Sequence, residues 1–163
     1  MIDWVMYSAD DVYHSANFDL DNMGVQANLN CQLSIVNCQL SYAFIHQHRR
    51  DDVAIYKSNY AMEYLRHKFV ATLDHPIISR LSASWSLRWQ DRMGSYILYE
   101  DAKSTGRLLS YRPYATLDLK LRWTAPRYEF TLEATNLTNH RYYDLGNIPQ
   151  PGLLILAGAR FRL

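Results

Sequence analysis

The chain has 163 residues, with 17 Lys and Arg against 16 Asp and Glu, for a formal net charge of +1. A balance this even leaves no electrostatic footprint for nucleic acid or for acidic partners. Aromatics make up 13% of the chain and tyrosine alone contributes 13 residues, beside only 6 Gly and 5 Pro. That composition suits extended, aromatic-rich structure and argues against linkers or low complexity.

No apolar run approaches the roughly 18 residues of a membrane helix. The N-terminus shows no basic stretch followed by an apolar one, so if the protein is exported residue 1 belongs to a mature chain or a fragment. Ile2, Trp4 and Met6 alternate and predict an opening strand. Next, Met23, Val25, Ala27, Leu29 and Cys31 alternate with Asn22, Gln26, Asn28 and Asn30. Val36, Cys38, Leu40, Tyr42 and Phe44 then oppose Asn37, Gln39, Ser41 and Ala43, and His67, Phe69, Ala71 and Leu73 oppose Arg66, Lys68, Thr72 and Asp74.

The second half repeats the pattern more sharply. Leu81, Ala83, Trp85, Leu87 and Trp89 share one face over residues 79–90, against Arg80, Ser82, Ser84, Ser86, Arg88 and Gln90. Ala115, Leu117, Leu119, Leu121 and Trp123 oppose Thr116, Asp118, Lys120 and Arg122. Tyr128, Phe130, Leu132 and Ala134 oppose Glu129, Thr131, Glu133 and Thr135. Ile155, Ala157, Ala159, Phe161 and Leu163 close the chain opposite Leu156, Gly158, Arg160 and Arg162. Period-two alternation places successive side chains on opposite faces of a strand. The result is an all-β chain of about eight strands without a convincing helix.

The connections alternate in length. Residues 8–17, 46–59, 93–110 and 137–152 form long ones; residues 32–35, 74–78 and 124–127 form short ones. Strict alternation puts every long connection at one end of an antiparallel up-and-down meander, as in outer-membrane barrels. Several strands run about ten residues, the length a tilted spanning strand needs, whereas soluble strands average five or six. Trp85, Trp89, Trp123, Tyr128 and Phe161 are candidate lipid-facing or girdle residues. Trp85 lies nearer mid-strand than a girdle requires. In lipid every backbone polar group needs a partner in the protein, so such a sheet must close. These residues are read as a transmembrane β-barrel segment: either a small complete barrel acting as an anchor or adhesin, or an arc of a larger one. A soluble all-β interaction domain is the remaining alternative.

Few side chains suggest chemistry. Cys31 and Cys38 match no zinc spacing and are read as small apolar side chains on neighbouring strands, with a cross-strand disulfide as the lesser alternative. His46 and His48 share a strand face without an evident third ligand, so no metal site is assigned. The acid pairs Asp10-Asp11, Asp51-Asp52 and Glu100-Asp101 read as solvated loop tips. No nucleophile motif of the G-x-S-x-G kind occurs, and neither catalytic residues nor a cofactor are assigned. The sequon at Asn136-Leu137-Thr138 is read as strand-end chemistry. Adjacent tyrosines in a long loop can stack on a ligand or sit at the outer interface. Tyr142 and Tyr143, with Asn147 in the same connection, are therefore the candidate ligand contacts.

The stretch Asn136-Leu137-Thr138-Asn139-His140-Arg141-Tyr142-Tyr143-Asp144 resembles the penultimate-strand motif of TonB-dependent receptors. Residues 145–152, Leu-Gly-Asn-Ile-Pro-Gln-Pro-Gly, resemble the loop that follows, and residues 158–163, Gly-Ala-Arg-Phe-Arg-Leu, resemble the final strand. The chain departs from the family in ending on Leu163, with Phe161 two places earlier. The wording of residues 142–152 is most similar to the vitamin B12 and siderophore subgroup. The resemblance implies that residues 1–163 are a C-terminal arc of a barrel of twenty-two strands. Plug domain and TonB box are not among these residues. It further implies a place in the bacterial outer membrane, contact with lipid and lipopolysaccharide, and uptake of an iron–siderophore, haem or cobalamin. TonB would be reached only through the missing N-terminal part, and this segment alone is not expected to transport.

Overall fold

The computed structural model describes residues 2–6, 13–17, 19–49, 57–58, 63–100, 103–144 and 148–162. All regular structure among them is strand. Seven long strands form one antiparallel sheet: β3 (Leu20–Leu33), β4 (Val36–Arg49), β6 (Leu65–Ile78), β7 (Leu81–Arg92), β10 (Tyr114–Thr124), β11 (Tyr128–Thr135) and β14 (Leu154–Phe161). Their spatial order, β14-β11-β10-β7-β6-β4-β3, follows the chain step by step, which makes an up-and-down meander. The sheet does not close: among the described residues β14 pairs only with β11 and β3 only with β4.

Register carries the alternation from strand to strand. Residues directly opposite one another share a face. Leu29 faces Leu40, Leu40 faces Ala71, Ala71 faces Leu87, and Leu87 faces Leu117. Trp123 faces Phe130 and Tyr128 faces Phe161. One apolar face therefore runs unbroken across all seven strands. It is also the exposed face: Leu29 keeps 60% of its surface, Ile155 60% and Phe161 68%. A soluble sandwich would bury these side chains in its core. The polar face carries paired charges instead, with Lys120 bridging Glu133 across β10 and β11 and Arg88 3.8 Å from Asp118.

Two expectations need correction. The opening strand exists as β1 (Ile2–Met6) but lies outside the main sheet, pairing with β2 (Tyr13–Asn17) and β5 (Lys57–Ser58). Five residues fall short of a spanning strand's nine to eleven. The main sheet has seven strands without it, in keeping with a segment of about eight. The second correction concerns residues 74–78, read as a short turn. Strand β6 runs on to Ile78 through a register shift between Pro76 and Ile78, and the turn is Ser79-Arg80. A bulge has no need of the N–H that proline lacks, so Pro76 does not end the strand.

The turns at Ser34-Ile35, Ser79-Arg80 and residues 125–127 lie at one end of the sheet. The long connections lie at the other. They are more ordered than plain loops: residues 93–113 contain the hairpin β8 (Ser95–Glu100) with β9 (Lys103–Ser110), and residues 136–153 contain β12 (Tyr143–Asp144) with β13 (Ile148–Pro149).

Glycine fits tightly at one strand position. A Cβ on Gly24 would sit 2.8 Å from the Phe44 carbonyl oxygen, which is backbone and cannot rotate away. A Cβ on Gly158 would meet the movable Thr131 hydroxyl. Gly24→Ala should cost about 1–3 kcal/mol by overpacking, and Gly158→Ala less than about 1. Urea midpoints of the two variants, measured in one detergent, check the difference.

Candidate functional site

The buried polar side chains gather where the long connections meet the sheet. Arg92 closes β7 and is nearly enclosed. Its Nη1 donates to the Glu63 carbonyl at 2.7 Å, and its Nη2 binds the Asp144 carboxylate. The guanidinium also lies over the Tyr111 ring, 5.9 Å from its centroid, a cation–π distance. The Tyr111 hydroxyl donates to Glu63 Oε2 at 2.9 Å. Glu63 belongs to the connection between β4 and β6, Tyr111 to that between β9 and β10, and Asp144 to that following β11. One guanidinium thus joins three of the long connections.

An enclosed arginine is stabilised only by such partners, because an unpaired buried charge is costly. Burial raises the Tyr111 phenol pKa above its ordinary value, and the Glu63 carboxylate raises it further. The phenol therefore stays neutral and able to donate. Beside this cluster Arg66 binds Asp91 through both Nε, at 3.2 Å, and Nη2, at 2.7 Å.

Next to the Arg92 cluster is an aromatic cleft of about 230 Å³. Tyr142 stacks on Tyr114 with centroids 4.1 Å apart, and Tyr143 stacks on Tyr96 at 4.4 Å. His140 lies parallel to Tyr114 at 5.8 Å. Arg112 and Arg141 bring positive charge to the lining. Burial raises the Tyr142 phenol as well. The cleft can offer π-faces, hydroxyls and guanidinium groups to a planar or anionic molecule.

The segment carrying Tyr142 and Tyr143 is held by two asparagines in the left-handed region. Asn136 has φ 52° and Asn139 φ 48°, a conformation asparagine tolerates better than most residues. Asn136 Nδ2 donates to the carbonyls of His140 at 2.9 Å and Pro151 at 3.1 Å. Its Oδ1 accepts from the Thr138 hydroxyl and the His140 N–H. Asn139 Oδ1 accepts from the Leu153 N–H at 3.0 Å, where the chain turns back into β14. The strand-end reading of Asn136-Leu137-Thr138 corresponds to this brace.

No family model matches the sequence, and neither does any curated protein. Solved structures do match. The chain superposes on the FrpB iron transporter from Neisseria meningitidis with a TM-score of 0.68 at 12% identity, covering 98% of this chain and 26% of that one. FpvA of P. aeruginosa, solved with bound pyoverdines, gives 0.68 at 13% identity, with coverage of 98% and 23%. The ferric-catecholate import receptor Fiu of E. coli K12 gives 0.64 at 16% identity, with coverage of 95% and 22%. The chain has the fold of a section of each of these three proteins. The chain spans about a quarter of the length of each structure.

Of the candidate contacts read from sequence, Tyr142 and Tyr143 line the same cleft on different stacking partners. Asn147 lies outside the described residues, as do Asp10-Asp11, Asp51-Asp52 and Asp101. His46 faces Met23 and His48 faces Asp21 in the β3–β4 ladder. Sequence reading passed over Arg92, Glu63, Tyr96, Tyr111, Tyr114 and Asp144. Tyr114 carried a signal: it falls on the polar parity of β10, where an aromatic needs a reason, and there it bonds Gln90 on β7.

Asn136→Ala should remove the brace and strain the left-handed position, at a cost of about 2–3 kcal/mol. Amide exchange across residues 137–153 should quicken while that of β6 stays unchanged. Tyr111→Phe tests the neutral phenol. Because the folded pKa is raised, its stabilising contribution is complete below the ordinary value near 10 and is lost as pH climbs through the folded value. Exchange at residues 143–144 should rise with alkaline pH more steeply in wild type than in Tyr111→Phe, after correction for intrinsic rates.

Proposed function

We propose that the chain is the C-terminal barrel section of a TonB-dependent receptor in the bacterial outer membrane. The observation that carries the reading is the inverted distribution of polarity. A continuous apolar face is exposed across seven strands, while the enclosed side chains include Gln90, Asp91, Arg92, Thr116 and Asn136. An apolar face of this extent needs an apolar solvent. Lipid supplies it outside a barrel, and the polar face then lines the lumen.

The aromatic positions support the same placement. Trp89 lies level with Ala115 on β10, and Trp123 comes eight residues further along that strand. At about 3.4 Å per residue this separation is roughly 27 Å. A tilt of about 40° reduces it to some 20 Å of membrane height, close to the apolar band of such barrels. Trp89 then belongs to the outer girdle, with Trp123, Tyr128 and Phe161 in the inner one. Trp85 faces acyl chains between them. The short turns point to the periplasm and the long connections to the outside, where lipopolysaccharide surrounds them.

The ligand is a scarce metal chelate, an iron–siderophore in first place, with haem or cobalamin as alternatives. The likeness of fold to iron and ferric-catecholate receptors favours iron, and the Tyr142–Tyr143 cleft flanked by Arg112 and Arg141 suits an anionic aromatic chelate. Asn147, in the same connection, belongs to the proposed contact set. No step of chemistry on the ligand is involved: the section binds and passes it. Energy coupling through TonB would use parts of the receptor other than these residues.

The test compares neighbours on one strand. Leu132→Arg puts a charge on the proposed lipid face of β11, and Thr131→Arg puts the same charge on the lumen face. In the full-length receptor folded into lipid vesicles, Leu132→Arg should lose about 2–4 kcal/mol and Thr131→Arg less than about 1. Equal losses would remove the membrane reading. Tyr142→Ala should weaken binding of a ferric tris-catecholate at least tenfold, read by quenching of protein fluorescence.

A further inference from the structure

We infer that Cys31 and Cys38 form a cross-strand dithiol that a disulfide carrier can close into a clip on the β3–β4 hairpin. The two residues are direct partners in the ladder, and both thiols are free. Their geometry follows from the turn. Leu33 faces Val36 across the two-residue connection Ser34-Ile35, so that pair exchanges both backbone hydrogen bonds. Hydrogen-bonded pairs recur every second residue, which makes Cys31–Cys38 one as well. The Cα separation of such a pair is about 5.5 Å, inside the roughly 4.4–6.8 Å range that a disulfide spans, and closure draws the Cβ atoms in from about 5 Å to about 4 Å. Direct partners point to the same face, here the apolar one, and both side chains are half-exposed.

This hairpin has something to gain from a clip. Among the described residues strand β3 pairs only with β4. Its polar face is a row of uncharged amides, Asn22, Gln26, Asn28, Asn30 and Gln32, opposite Gln47, Ala43, Ser41, Gln39 and Asn37. A slip of two residues would preserve both faces, and such a row offers little to forbid it. The turn adds weak guidance, since Ser34 takes φ 51° where glycine would be easier. A bond between Cys31 and Cys38 permits one register only.

The chemistry is thiol–disulfide exchange. One cysteine loses its proton, and its thiolate attacks the carrier's S–S bond; a mixed disulfide forms and one carrier thiolate leaves. The second cysteine, also deprotonated, attacks that mixed disulfide, the Cys31–Cys38 bond forms, and the second carrier thiolate leaves. Two electrons pass to the carrier, and the two protons end on its two thiols. A thiolate is disfavoured in an apolar medium, so closure precedes burial of this face.

The inference rests on strand register and is independent of the receptor reading. The test folds the full-length protein, with any other cysteine replaced by serine, into detergent beside oxidised glutathione. Wild type should stay monomeric, lose the mass of two hydrogens and carry no glutathione. Cys31→Ser and Cys38→Ser should each stop at a single glutathione adduct. Closure should run at least roughly tenfold faster during refolding than in urea, because the hairpin ladder brings the loop ends together before the apolar face is covered. Two adducts on wild type, a disulfide between chains, or equal rates in urea would overturn the clip. None of these results bears on whether the apolar face meets lipid.

Discussion

The in-register ladder of the seven-stranded sheet is the constraint on which the rest depends. Side chains alternate with a period of two, so a slip of one residue anywhere would turn a whole strand inside out. Pairings such as Leu40 with Ala71 and Leu117 with Leu87 show the same parity kept from β3 to β14. Between β3 and β14 the ladder also pairs the backbone without help from water, while those two strands each keep one edge unpaired among the described residues. Exposed Leu29 and Phe161 and enclosed Arg92 are two consequences of that single alignment.

Much of the sheet was legible because its strands obey one rule over long stretches. The faces assigned to residues 81–89, 115–123 and 128–134 reappear as cross-strand partners. Local reading failed where the decisive partner lay far along the chain. Ile2, Trp4 and Met6 alternate as a barrel strand would, yet β1 joins β2 and β5. Asp74, His75 and Pro76 look like a turn, yet β7 continues the pairing beyond them and a bulge absorbs the proline. Propensity is local and pairing is not.

The site was legible in outline only. Tyr142 and Tyr143 stood out as neighbours in a long connection, but their stacking partners, Tyr114 and Tyr96, arrive from β10 and β8. Arg92 could not be singled out, because nothing in its neighbourhood distinguishes it from Arg80 or Arg88. Its role comes from contacts 29 and 52 residues away. The Asn136 motif was recognised by likeness before it had a physical account. That account is now specific: two left-handed asparagines close a segment whose ends meet at Leu153.

The Arg92 junction limits how the outer segments can be altered. Glu63, Tyr111 and Asp144 come from three separate stretches of chain and converge on one enclosed cation. Transplanting any one of these stretches from another barrel would strand the groups left behind. Exchanged as a set, with the arginine included, they would carry their own internal neutralisation with them. For redesign of this surface the smallest interchangeable unit is therefore the trio of connections rather than a single loop.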